Sequence, residues 1–136
     1  MNKISEHISY NEATASNTAT RLNIDNTPNA ETLERMKVVA NACFEPLRVW
    51  YGKPLRVNSF YRSEALNKAI GGSKTSQHCK GEAIDISAGS KFQNKIIHVW
   101  IKENLVFDQL INEYDFTWVH VSFSLGNNRK QCLVVK

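Results

Sequence analysis

Apolar residues recur at alternating intervals of three and four through Leu33, Met36, Ala40, Cys43, Leu47 and Trp50. That spacing predicts a helix with one buried stripe. Thr27-Pro28 ahead of it supplies an N-cap and a first helical residue, and Tyr51-Gly52-Lys53-Pro54 ends it. Pro46 inside the pattern must kink this helix or divide it in two. Further upstream, Ser9-Tyr10-Asn11-Glu12 has the form of a capping box that starts a short helix.

Beyond Pro54 the period changes to two. Leu55-Arg56-Val57-Asn58-Ser59-Phe60-Tyr61 alternates as a strand, and a short helix over 63–70 stops at Gly71-Gly72. A polar loop over 73–80 precedes a strand over 82–86. A helix over 90–104 turns Phe92, Ile96, Ile97, Trp100 and Ile101 inward, and strands follow over 107–114 and 117–124. Helices first, then strands and helices with short links, make an α+β pattern rather than repeated βαβ units. No repeat, low-complexity tract or linker divides the sequence, so a single domain over 1–136 is expected.

Composition narrows the classes. With 136 residues, 42% of them apolar, the chain can bury a core and is too hydrophobic for intrinsic disorder. No apolar run approaches the ~18 residues of a membrane span, and no apolar segment follows Lys3 as a secretory signal requires. A cytoplasmic product is expected. The net charge of +4 comes from scattered cations, with a small cluster at Arg129-Lys130 and Lys136. A nucleic-acid binder more often shows a basic stripe with interleaved aromatics, and a weak positive surface fits an anionic polymer such as a cell wall equally well, so charge alone decides nothing. The three cysteines, Cys43, Cys79 and Cys132, are odd in number and far apart, which argues for a reducing compartment. Cys43 belongs to the helical stripe.

Of the four histidines, His7 and His98 have no ligand-type context. His78 and His120 do. In Gly81-Glu82-Ala83-Ile84-Asp85-Ile86, alternation sends the two isoleucines to the core and Asp85 to the opposite face, beside the small Gly81 and Ala83. Gly81 lets the chain turn so that His78 can approach Asp85. In Trp118-Val119-His120-Val121-Ser122-Phe123 the same rule sends Trp118, His120 and Ser122 away from the core. If the strands pair, His78, Asp85 and His120 meet on one polar face. Two imidazoles and a carboxylate are the ligand set of a catalytic zinc site. An Asp–His hydrogen bond on a solvated sheet is the alternative.

Ser76, His78, Gly81, Ala83 and Asp85 spell SxHxxGxAxD, and Trp118-Val119-His120 spells WxH. Both resemble motifs of the zinc D-Ala-D-Ala peptidases, peptidase family M15, subfamily M15A. The likeness runs on through Ser59-Phe60-Tyr61-Arg62-Ser63, Leu66-Asn67, Gly71-Gly72 and Asp108-Gln109-Leu110-Ile111, and is strongest to small phage- and prophage-type members. It implies the hedgehog/D,D-peptidase fold, a small mainly antiparallel sheet with helices on one face. It also implies zinc held by His78, Asp85 and His120, and Arg62 on the substrate carbonyl and its developing charge. Ser76 and Trp118 become substrate-contacting positions. The implied substrate is the D-amino-acid-containing stem peptide of peptidoglycan, attacked by a monomeric enzyme.

One position departs from the pattern. Many relatives carry a catalytic carboxylate three residues before the second His, where this chain has Thr117. Glu113 is the expected general base, with Asp115 second. Cys79 follows a ligand but would close the open coordination position, so it is read as a bystander. A phage-type endolysin follows from these features. A cellular D-Ala-D-Ala carboxypeptidase or dipeptidase, and a zinc-binding module without hydrolysis, are the alternatives.

Overall fold

The computed structural model describes residues 3–136. A small hairpin, β1 (Lys3–Ser5) and β2 (Ile8–Ser9), leads into α1 (Tyr10–Thr14) and α2 (Asn17–Leu22). The predicted capping box is present at α1: Ser9 accepts from the Glu12 amide, and Glu12 accepts from the Ser9 amide, both at 3.0 Å. The hairpin and α2 carry no periodic signal and were not expected from the sequence.

The long helical stripe is divided. It comprises α3 (Ala30–Val39), a π-helical turn over Ala40–Phe44, and α4 (Glu45–Tyr51). Pro46 is the cause, because it has no N–H to give and its ring would strike the carbonyl four residues back. The wider turn avoids that clash, with the Glu45 amide reaching Ala40. The N-cap also differs from expectation. Asn29, not Thr27, accepts from the Thr32 amide at 2.8 Å, while the Thr27 amide is held by Asp25. Gly52 closes α4 in the left-handed conformation.

The rest of the chain adds β3 (Arg56–Ser59), α5 (Glu64–Ala69), a 3₁₀ turn (Gln77–Lys80), β4 (Ala83–Ser87), α6 (Lys91–Asn104), β5 (Gln109–Glu113), β6 (Trp118–Ser122) and β7 (Gln131–Val135). These strands form one sheet in the order β3-β4-β6-β5-β7. It is antiparallel except for β7, which runs parallel to β5. The fold is therefore α+β with a small, mainly antiparallel sheet, as expected. The 3₁₀ turn lies within the expected polar loop. The strand β7 escapes the sequence pattern because its side chains are exposed throughout, so no alternation marks it.

The helices pack on one face of the sheet. Met36, Val39, Cys43 and Leu47 meet Ile84, Ile86, Val119 and Val121, with Ile97, Ile101 and Leu110 completing the core. Two residues expected in the core are exposed instead. Phe92 is 71% exposed, and Trp50, 47% exposed, stacks on Trp100 at the surface. Asn94 takes the inward place on α6 instead, accepting from the Ala88 amide and donating to the Phe116 and Thr117 carbonyls. Among the described residues no helix is long and apolar enough to cross a membrane.

Gly81 joins this core to the opposite face. Its φ is +74°, and an added Cβ would lie 2.8 Å from Met36 Cγ and 2.9 Å from the Thr32 carbonyl oxygen. Gly52 has nearly the same φ, +72°, with nothing within 4 Å. Replacing Gly52 by Ala should cost about 1 kcal/mol of backbone strain. Gly81→Ala should cost at least about 2 kcal/mol more, since α3 or β4 must move. Urea unfolding of the two variants checks this, and equal losses would refute the close approach.

Candidate metal centre and cleft

The register of β4 against β6 pairs Asp85 with His120. Both side chains are buried on the face away from the helices, with His120 Nδ1 2.9 Å from Asp85 Oδ1. His78 arrives from the 3₁₀ turn, which Ser76 caps by accepting from the His78 amide at 3.2 Å and Gly81 closes in the left-handed conformation. Ligand atoms of His78, Asp85 and His120 all lie within 4.8 Å of one another.

The donor chemistry fits a cation. His78 Nδ1 lies 2.7 Å from the Phe60 carbonyl, which can only accept, so we assign the ring proton to Nδ1. That leaves Nε2 as a bare lone pair, buried, with no hydrogen-bond partner and 3.3 Å from Asp85 Oδ2. Two acceptors face each other with no proton between them. A divalent ion resolves the conflict, and nitrogen and oxygen ligands of tetrahedral zinc at ~2.0 Å stand about 3.3 Å apart. Burial alone would push the Asp85 carboxyl up. The two imidazoles set against it outweigh burial and hold the group well below the usual carboxylate range.

Glu113 ends β5, opposite Trp118 in β6. Its Oε2 accepts from the Trp118 indole N–H at 3.1 Å and lies 3.6 Å from His120 Nδ1. Asp115 is elsewhere: its side chain is 83% exposed and 3.7 Å from Lys91. Tyr114, Asp115 and Phe116 all have positive φ, a strained left-handed run. Asn112 holds that run by accepting from the Phe116 amide, and Thr117 gives its hydroxyl to the Tyr114 carbonyl. The turn therefore depends on Asn112 rather than on Asp115.

Arg62 follows β3. Its amide bonds to the His78 carbonyl and its Nη1 to Asn67 at 3.4 Å, while its Nε is buried without a partner. Asn67 is fixed in turn through Ser73. A Cβ on Gly72 would land 2.1 Å from Asn67 Oδ1, so the Gly71-Gly72 step is what admits this amide. Asn26 completes the support, donating to the Tyr61 carbonyl and accepting from the Ser63 amide. Arg62, Ser76, His78, Asp85, Glu113, Trp118 and His120 line one open cleft of about 1080 Å³. That is room for a peptide. Cys79 is outside the ligand group, and burial raises its thiol above its ordinary range. Cys43 is pushed further, to about 12, by burial in the core.

The same cleft is lined by a cluster that the sequence pattern does not disclose. Asp108, buried, accepts from Arg129 Nε and Nη2 at 2.8 Å each, from the Arg129 amide at 3.1 Å, and from Gln77 Nε2 at 3.1 Å. Gln77 adjoins His78, so this carboxylate ties the 3₁₀ turn to the segment before β7. Asp108 stands in a stretch already noted for its likeness. Its partners Gln77 and Arg129 lie 31 and 21 positions away, and nothing local announces them.

Among known sequences, a family model described as peptidase M15 matches residues 6–122. No curated protein matches the chain. The matched stretch contains Arg62, Ser76, His78, Asp85, Glu113, Trp118 and His120, and ends before Arg129.

Hydrogen bonds from Arg129 hold the Asp108 carboxyl at about 2, against burial that raises it. A carboxyl depressed in the folded state stabilises the fold above its unfolded value of ~3.9 and loses that contribution as pH falls through the folded one. Wild-type stability should therefore decline between about pH 4 and pH 2 with a component that Asp108→Asn lacks. The variant should be less stable at pH 7 and flatter in acid. Parallel pH–stability curves from urea unfolding would remove Asp108 as the cause.

Proposed function

The chain belongs to the peptidase M15 family of zinc metallopeptidases, and we propose that it hydrolyses peptide bonds in the D-amino-acid-containing stem peptides of peptidoglycan. On this reading residues 1–136 form one catalytic domain, and its role is that of a phage- or prophage-type endolysin. The observation that carries the peptidase reading is the buried His78 lone pair facing Asp85 and His120 at the floor of a peptide-sized cleft.

His78, Asp85 and His120 would hold zinc. When bound, zinc supplies Lewis acidity, polarising a carbonyl and making water nucleophilic near neutral pH. Glu113 would take the proton of the attacking water, a role supported by its carboxylate lying 3.6 Å from His120 Nδ1 and lining the cleft. As the water oxygen bonds to the carbonyl carbon and the C–N bond breaks, the same carboxyl returns the proton to the leaving amine. Arg62 receives the negative charge that develops on the carbonyl oxygen; its buried, unpartnered Nε has hydrogen-bonding capacity to give. Trp118 acts through Glu113, whose carboxylate it orients by the indole N–H. Ser76 serves the site through the turn that carries His78.

Purified chain should contain one zinc per molecule by elemental analysis, and His78→Ala should contain none. Incubated with intact sacculi, the zinc-loaded chain should release soluble muropeptides, and a chelator should stop the release. Release of D-Ala alone would assign a carboxypeptidase. Full zinc content in His78→Ala would overturn the ligand set.

Glu113→Gln should retain zinc and the fold yet lose hydrolysis by about 10²–10⁴-fold, while Asp115→Asn stays near wild type. Trp118→Phe keeps an aromatic side chain but removes the donor. It should lower kcat roughly tenfold or more with KM little changed, the scale of one hydrogen bond to a charged group. An active Glu113→Gln would reassign the base.

A further inference from the structure

Arg129 is placed as few structural arginines are. Its guanidinium gives one edge, Nε and Nη2, to buried Asp108, yet the side chain is 53% exposed and lines the cleft. Among the described residues nothing accepts a hydrogen bond from Nη1. The remaining N–H groups of Nη1 and Nη2 form the second edge of a planar fork, which matches a carboxylate in two parallel hydrogen bonds.

The fork is also held still. The Arg129 amide bonds to Asp108 Oδ1, the Lys130 amide to the Phe107 carbonyl, and the Gln131 amide to the Asp108 carbonyl. Just upstream, Ser124 and Asn128 exchange two hydrogen bonds at 2.8 Å. A donor pair fixed before ligand arrives loses little freedom on binding. An arginine needed only to neutralise Asp108 would not require an open edge on the cleft wall.

We propose that Arg129, braced by Asp108, is the residue of this cleft that recognises a carboxylate on the peptide substrate. The proposal rests on the peptidase reading above and specifies its substrate as an anionic peptide. The carboxylate has two possible sources. One is the chain-terminal α-carboxylate, which would direct cleavage to the end of the stem. The other is an acidic side chain within it, which would direct cleavage to the interior.

The probes are the pentapeptide L-Ala-D-Glu-L-Lys-D-Ala-D-Ala, its C-terminal amide, and the same acid with D-Gln for D-Glu, each fluorescently labelled at the N-terminus. Binding is read by fluorescence anisotropy on the zinc-loaded Glu113→Gln chain, with and without Arg129→Gln. One of the two neutralised peptides should bind about tenfold more weakly than the parent peptide, and that one identifies the source. In Arg129→Gln the difference should vanish. Arg129→Lys, which retains the charge but not the fork, should recover it only in part. Thermal unfolding shows whether the Arg129 variants are folded, and discrimination among peptides by the Arg129 chain needs no variant at that position. Equal binding of all three peptides, no binding of any, or discrimination that persists in folded Arg129→Gln would each overturn the proposal. Hydrolysis of the same peptides by wild type separates the two readings. Cleavage without carboxylate dependence overturns the role of Arg129 alone. No cleavage of peptides or sacculi, with Arg129-dependent binding intact, overturns the peptidase reading and leaves the carboxylate site standing.

Discussion

Antiparallel pairing of β4 with β6 sets Asp85 opposite His120 and Ile84 opposite Val121, and the cleft is built outward from that register. A slip of one residue would turn both polar ligands into the helices and expose Ile84, Ile86, Val119 and Val121. The apolar face therefore enforces the polar one. Neighbouring strands inherit the alignment. On one side, β3 sets Ser59 beside Asp85 and leads to Phe60, whose carbonyl orients the His78 ring. On the other, β5 sets Glu113 beside Trp118, whose indole fixes the carboxylate.

The residues that reach the cleft from irregular segments are held differently. Side-chain amides do most of that work: Asn26 and Asn67 around Arg62, Asn94 and Asn112 around the turn after Glu113. A side-chain amide carries both donors and an acceptor, so it can satisfy backbone groups that no helix or strand pairs. The left-handed run at Tyr114-Asp115-Phe116 persists because such bonds over-determine it. That strain stands directly between Glu113 and Trp118, the two residues whose mutual placement the proposed proton transfer needs.

Charge is divided across the cleft. The floor collects acceptors, Asp85, Glu113 and the His78 lone pair, a donor set that could hold a cation. The walls supply donors from Arg62 and Arg129. A peptide laid between them would meet the polarising centre at its scissile carbonyl and directed N–H groups beside it. This is the arrangement expected of a peptidase M15 member, with Arg129 lying beyond the stretch that the family model matches.

Much of the site was legible in the sequence because strand alternation has a period of two and glycine has few substitutes. Those rules turn Asp85 and His120 away from the core and put Gly81 at the turn that returns His78, while the pairing of β4 with β6 brings them together. The choice of Glu113 over Asp115 as the expected base also came from position in a strand against position in a turn. Other features depended on contacts between distant parts of the chain. The π-helical turn ahead of Pro46 and the exposure of Trp50 and Phe92 were set by packing of α4 and α6. The strand β7 arises from pairing with β5, and its exposed side chains record nothing of it. Asp108, Gln77 and Arg129 come together only when the 3₁₀ turn and the segment before β7 close on the same carboxylate. Periodicity reports which face of one element is buried; it carries no information about which partner a polar side chain will find across the fold.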